Sequence, residues 1–245
     1  MITSKQNSAI LAASKLNDKK GRKEQGLFLI EGQKLVFDAF KHGIAVQKVF
    51  VSADVKADFS SYGCEVVEVS PEVMKVLSDT KTNQGVVAVA KLPDKKPYCG
   101  GNALLLDRIQ DPKNIGAIIR TACATGYNDV FLIDCTDVFS PKSLRSGMSG
   151  QFMLNFIETS EEEFVKNFGG KRMLCADMQG ENIFEFSCGE HILILGNEGQ
   201  GVSDVLASLA TNTVRIPMEN NLESLNVAVS AGIIMYQLNR DKWRK

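Results

Sequence analysis

The sequence predicts an α/β protein of two domains, the second built on a largely parallel sheet. Three observations carry that prediction. Short β-type runs alternate with amphipathic helical patterns along the chain, the intervening helices are of crossover length, and one proline- and glycine-rich stretch, from Pro93 to Gly101, interrupts the alternation. We place the first domain at 1–95, a linker at 96–102 and the second domain at 103–245. A length of 245 residues is enough for a sizeable buried core, and 44% hydrophobic with 23% charged residues is globular, excluding disorder, collagen and coiled coil. The longest apolar stretches fall short of a bilayer span, and no apolar secretory core follows the first lysine, so a soluble, cytoplasmic protein is expected.

In the first domain, residues 27–30 read as a strand, and Leu35, Val36, Ala39 and Phe40 recur at helical spacing just after it. Residues 46–51 and 65–69 are strand-like, Ser70 and Pro71 cap and start a helix reaching Leu77, and 85–92 is a further strand. The second domain alternates more cleanly. Strands are expected at 103–109, 129–134, 154–158, 172–176, 191–195 and 213–217, with helices at 115–125, 141–148, 161–168, 204–210 and 225–240. Ser140 with Pro141 is a clean helix start, and Ser160 with Glu163 forms a capping box.

Net charge is −1, so the whole-chain balance does not favour nucleic acid. Its distribution is less even. Lys5, Lys15, Lys19, Lys20, Arg22 and Lys23 face a single acid, Asp18, and the last six residues repeat the basic bias. Such ends either meet phosphates or form solvated helix faces. The six cysteines contain no Cys-x-x-Cys pair and only two histidines accompany them, which makes neither a metal site nor a disulfide framework. Cys123, Cys135 and Cys175 lie in apolar periodic segments and read as core thiols of a reducing compartment.

In α/β sheets ligands bind in the loops beyond the carboxyl ends of strands, and three such loops here are unusual. The first runs from Asp111 to Arg120. Ile115, Ile118, Ile119 and Ala122 share the core face of its helix, whereas Arg120 lies about 140° round from Ile115, free to face a ligand or simply solvent. The second, Leu195-Gly196-Asn197-Glu198-Gly199-Gln200-Gly201, is glycine-rich but is neither Gly-x-Gly-x-x-Gly nor a P-loop. Glu198 would repel a pyrophosphate, so a ligand without phosphate suits it better. The third follows Pro217, where Ser224 is placed to cap a long helix whose buried stripe reads as Leu225, Val229, Gly232 and Tyr236. Asn226 lies off that stripe, as a ligand contact or a turn asparagine.

Taken in order, three patterns resemble the motifs of the SpoU/TrmH family of RNA ribose 2′-O-methyltransferases. They are Asp111-Pro112-x-Asn114-x-Gly116-x-Ile118-x-Arg120-Thr121-Ala122, Leu195-Gly196-x-Glu198-x-x-Gly201, and Ile216-Pro217-Met218 followed by Ser224-Leu225-Asn226-Val227. The stretch Arg145-Ser146-Gly147-Met148-Ser149-Gly150 resembles a shorter family pattern. The segment from Phe28 to Gly32 through Gln84 to Ala88 is similar to the ribosomal-protein-like α/β RNA-binding domain that precedes many members' catalytic domain.

The resemblance implies a deep trefoil knot at the carboxyl end, a homodimer, S-adenosylmethionine as cofactor and no metal. It places the cofactor against Leu195, Gly196, Gly201, Ile216, Met218 and Leu225, and the catalytic positions at Arg120, Asn114, Glu198, Ser224 and Asn226. RNA phosphates would meet Lys5, Lys15, Lys19, Lys20, Arg22, Lys23 and Arg145. The implied substrate is structured RNA, 23S ribosomal RNA ahead of transfer RNA because of the extra amino-terminal domain. Two other classes compete: an RNA-binding ribosome-assembly factor of the same fold without methyl transfer, and a dinucleotide oxidoreductase, which lacks its glycine fingerprint.

Overall fold

The computed structural model describes residues 1–80, 82–220 and 224–243. Arg244 and Lys245, the end of the basic carboxyl-terminal run, lie outside the described residues, as does the middle of the third loop, 221–223. In chain order the first elements are α1 (Ser8–Ser14), α2 (Lys19–Gln25), β1 (Leu27–Glu31), α3 (Gln33–Lys41), β2 (Val46–Ser52), β3 (Glu65–Val69), α4 (Pro71–Leu77) and β4 (Val86–Lys91). There follow β5 (Ala103–Asp107), α5 (Pro112–Thr125), β6 (Asp129–Ile133), α6 (Pro141–Gly147), β7 (Asn155–Glu158), α7 (Glu161–Phe168), β8 (Met173–Asn182), β9 (Ile192–Leu195), α8 (Asp204–Ser208), β10 (Asn212–Arg215) and α9 (Val227–Leu238).

Packing groups Met1–Asp94 with Asp137–Phe152 in one unit, and Lys95–Thr136 with Met153–Lys245 in the other. A single cut in the proline-rich stretch therefore does not describe the division. The segment between β6 and β7 packs with the first unit because its apolar residues Phe139, Leu144 and Phe152 cover one face of that unit's sheet.

The first unit's sheet has the order β1-β4-β2-β3, with β4 antiparallel to both neighbours and β2 parallel to β3. Strands β1, β2 and β4 are buried on both faces, whereas the edge strand β3 is largely exposed. Phe28, Ile30, Val49, Val86 and Ala88 enter one cluster with α3 and the Asp137–Phe152 segment, while Leu29, Phe50, Val87 and Val89 enter another with α1 and α4. Alternate residues point to opposite faces, so near-continuous apolar runs require a cover on each.

Arg22, expected among the RNA contacts, is instead 3% exposed. It forms a fork with Asp137, through Nε at 2.8 Å and Nη2 at 2.7 Å, while Nη1 donates to the Leu16 and Asn17 carbonyls at 2.6 and 2.9 Å. Every arm of the guanidinium is occupied, which removes it from the phosphate-binding set. Arg22→Ala leaves Asp137 Oδ2 and the Leu16 and Asn17 carbonyls without these partners, while Asp137 Oδ1 keeps the Phe139 N–H at 2.8 Å, and urea unfolding should show a loss of about 3 kcal/mol.

The second unit's sheet is parallel throughout, with the order β10-β8-β9-β5-β6-β7. Every residue of β5 and β6 is buried, as expected of strands covered on both faces by helices. The chain leaves β5 toward β6 and β7, then returns to insert β9 on the other side of β5. The carboxyl ends of β5 and β9 therefore flank the point where strand order reverses, the usual ligand position in such sheets.

On α5, Ile115, Ile118, Ile119 and Ala122 are buried as expected. On α9 the expected stripe is wrong. Ala231, Ile234 and Met235 are buried, whereas Val229 and Tyr236 are about half exposed, at 50% and 49%. The helix is apolar almost all round, so periodicity has no polar side against which to set the buried one. Its cap is Asn226, not Ser224: the Asn226 Oδ1 accepts from the Ala228 and Val229 N–H groups at 2.9 and 3.4 Å. All six thiols are free; Cys175 is buried, while Cys123 and Cys135 are only partly so. Burial pushes the Cys175 thiol up to about 11 and that of Cys135 up to about 12, which keeps both protonated and unreactive.

Candidate functional site

The site grows from the end of β5. Asp107, 1% exposed, binds Arg108 through Nε and Nη2, each at 2.9 Å, and accepts the Ser203 N–H at 2.8 Å. Ser203 caps α8, so one carboxylate joins the exit of β5 to the loop that follows β9. Beyond it, the Asp111 side chain accepts the Lys113 N–H at 2.8 Å and Pro112 opens α5. That capped first turn presents Asn114.

The loop after β9 closes on itself. Asn197 and Gly201 exchange backbone hydrogen bonds of 3.0 and 2.9 Å, and the Asn197 amide donates to the Arg108 carbonyl at 2.8 Å. The two arms approach so closely that a Cβ on Gly196 would lie 2.2 Å from the Gly201 carbonyl carbon and the Val202 nitrogen. Only glycine fits there.

Asn114, Glu198 and Asn226, far apart in sequence, form one relay. Asn226 Oδ1 is committed to the α9 N–H groups, so its Nδ2 turns to Asn114 Oδ1 at 3.0 Å. The Asn114 Nδ2 then faces Glu198 and donates to Oε1 at 2.9 Å. Each amide's orientation follows from its neighbour, and the carboxylate ends the chain as an acceptor.

Beside the relay is a cavity of about 450 Å³. Its lining includes Leu195, Gly196, Gly201, Ile216, Met218 and Leu225, together with Glu198, Ser224 and Asn226. Thus all six residues expected at a cofactor, and three of the five expected catalytic ones, meet at one cavity. Asn114 joins through its hydrogen bonds. Arg120 does not line the cavity; it is exposed on α5 and makes no ion pair among the described residues.

Sequence reasoning missed a further part of the lining, Ala176, Asp177 and Met178 of β8 and Arg215 of β10. No local signal marked residues 176–178, because they continue a strand that runs to Asn182. Of the expected phosphate contacts, Lys5, Lys15, Lys19, Lys20 and Lys23 are exposed on the first unit, and Lys20 lies 3.8 Å from Glu24. Arg145 is engaged elsewhere, with Asp79 at 2.7 Å and Glu31 at 3.5 Å.

Known structures place this fold and site in a class. An AdoMet-bound rRNA methyltransferase from Sinorhizobium meliloti superposes with a TM-score of 0.87 at 28% identity, covering 100% of this chain and 98% of that one. The SpoU methyltransferase AviRb from Streptomyces viridochromogenes, in complex with AdoMet, gives 0.86 at 26% identity over 97% of this chain and 99% of that one. The class is that of α/β RNA methyltransferases.

Residues 101–236 match the SpoU rRNA methylase family and residues 7–88 the MRM3-like substrate binding domain. The chain belongs to the SpoU rRNA methylase family. The 23S rRNA (guanosine(2553)-2′-O)-methyltransferase RlmP of Bacillus subtilis (strain 168) is 34% identical over 97% of this chain and 98% of its own length.

Gly196→Ala should force the loop arms apart while leaving the sheet intact. Amide exchange at Asn197 and Gly201 should accelerate at least tenfold, which corresponds to about 1.4 kcal/mol of lost local stability. Unchanged protection would mean that the loop tolerates the methyl group.

Proposed function

We propose that this protein transfers a methyl group from S-adenosylmethionine to a ribose 2′-hydroxyl of 23S ribosomal RNA. The observation that carries the reading is the convergence of three sequence-distant motifs on one cavity, with the Glu198–Asn114–Asn226 relay along its edge. The volume lies in the usual small-molecule range of about 300–1,000 Å³. A loop with glycines but also Glu198, in a cavity that Asp177 lines as well, suits a phosphate-free cation and disfavours a dinucleotide. Leu195, Gly196, Gly201, Ile216, Met218 and Leu225 would hold the cofactor, which supplies an electrophilic methyl group when bound.

The chain's own residues prepare the acceptor. A 2′-hydroxyl must gain alkoxide character, and a guanidinium is too weak a base to take its proton. Arg120 therefore holds the neighbouring phosphate and stabilises the developing oxyanion with donors that no other described residue occupies. Asn114 and Asn226 orient the ribose, and Ser224 lies beside them on the cavity wall. Glu198, already accepting from Asn114, fixes the relay in place of serving as a free base. The exposed lysines Lys5, Lys15, Lys19, Lys20 and Lys23 add sequence-independent phosphate contacts.

The named 23S rRNA relative matches 97% of the chain, across both units, which supports ribosomal over transfer RNA. Intact Asn114, Arg120, Glu198, Ser224 and Asn226 speak against an assembly factor that has lost methyl transfer. No helix among the described residues is long and apolar enough to cross a membrane; the likeness to a bacterial 23S rRNA methyltransferase supports a cytoplasmic site of action. A deep trefoil knot is the topology expected of the segment from β9 to α9, and closing the backbone trace there tests it.

The test of activity is labelled methyl transfer to RNA from a strain lacking this protein, mapped by resistance to alkaline cleavage. Wild type should label one ribose of 23S RNA. Arg120→Ala should lose at least a hundredfold in kcat, in line with roughly 10²–10³ for removal of an oxyanion donor, while binding S-adenosylmethionine as wild type does. Cofactor binding with no labelling of ribosomes, ribosomal RNA or transfer RNA would sink the reading.

A homodimer completes the proposal. Val229 and Tyr236 of α9 and the neighbouring Trp243 present an exposed apolar face, with the two rings 6.3 Å apart. A second copy is its occupant. Sedimentation should give twice the chain mass, and Tyr236→Glu should give the monomer; a monomeric wild type at micromolar concentration would count against it.

A further inference from the structure

The motif from Arg145 to Gly150 lies in sequence between β6 and β7, both strands of the parallel sheet, yet its polar groups engage the first unit. Arg145 Nη2 is 2.7 Å from Asp79 Oδ2, and Nη1 is 3.5 Å from Glu31 Oε2. The Glu31 side chain, 8% exposed, also accepts from the Ser78 and Thr80 hydroxyls and from the Asp79 N–H at 3.1 Å. Four residues further on, Ser149 donates to Asp38 of α3. Between them Met148 sits at φ 53°, ψ −128°, a conformation rarely held by a residue other than glycine. The short motif is thus anchored at both ends around a strained turn.

The charges explain what Arg145 does there. Glu31 and Asp79 bring two carboxylates to the root of the Ser78–Thr80 turn, and Arg145 is the cation that pairs with both. Without it the carboxylates repel across a partly buried space. The turn leads to the exposed polar residues Thr82 and Gln84, in the part of the chain that matches a substrate-binding domain.

We propose that Arg145 is a positioning residue for RNA: it neutralises Glu31 and Asp79, holds the Ser78–Thr80 turn in the shape that receives substrate, and touches no phosphate itself. The proposal rests on the RNA-methylating reading, but the clamp can be tested without it.

Wild type, Arg145→Ala, Asp79→Ala and the reversed pair Arg145→Asp with Asp79→Arg should be compared. Without RNA, amide exchange at Asp79 and Thr80 should accelerate in Arg145→Ala and recover in the reversed pair. That readout stands even if the protein methylates no RNA. In the assay, Arg145→Ala should raise the KM for RNA about tenfold, and Asp79→Ala should raise it less. Both should keep the wild-type kcat, cofactor affinity and salt dependence of RNA binding. If Arg145→Ala alone lowers the salt slope by about one phosphate while Asp79→Ala behaves as wild type, Arg145 contacts RNA directly and the proposal fails. It fails equally if exchange in the turn is unchanged by Arg145→Ala. Arg145→Lys, which keeps the charge, should fall between wild type and Arg145→Ala, and a variant as impaired as alanine in both readouts would overturn the charge argument.

Discussion

Asp107 sits buried where β5 ends, and its two oxygens organise the loops beyond that strand. One guanidinium and one backbone N–H satisfy it, and each belongs to a different loop of the site. Because a buried carboxylate is costly unless fully paired, the exits of β5 and β9 are tied at a defined separation. The Asn197 amide repeats that tie through the Arg108 carbonyl. With the loops so joined, Asn114 comes within reach of Glu198, and the relay reaches the first turn of α9. The cavity is the space that remains between them.

Much of this was legible in the sequence because the informative residues are contiguous. Each motif lies within one strand-to-helix loop, where caps, glycines and polar side chains leave a local signature. Strand and helix positions were legible for the same reason: Ser70 with Pro71, Ser140 with Pro141, and Ser160 mark helix starts by side-chain hydrogen bonds confined to one turn. The wall contributed by Ala176, Asp177 and Met178 left no such mark, since its residues continue an ordinary strand. On α9 the difficulty was different in kind. A helix apolar on all sides carries no phase information, so the buried side was decided by what packs against it.

Charge was the least legible property. In sequence Arg22 and Lys23 are neighbours in one basic run, yet one is buried against Asp137 and the other faces solvent. Arg145 differs again, with partners contributed by Glu31 and Asp79. Ion pairs between residues more than sixty positions apart depend on tertiary packing, which local composition does not encode. A count of lysines and arginines therefore overestimates the cations available to a polyanion.

The segment Asp137–Phe152 also bears on how the protein is made. Phe28 emerges early in synthesis, but Phe139 and Phe152, the rings that pack against it, come only after β5, α5 and β6 have been translated. The amino-terminal sheet thus keeps one apolar face incompletely covered until Phe152 has been made, when β5, α5 and β6 already exist. The second unit therefore begins before the first can be finished, and a strict one-after-the-other order of folding is closed to this chain.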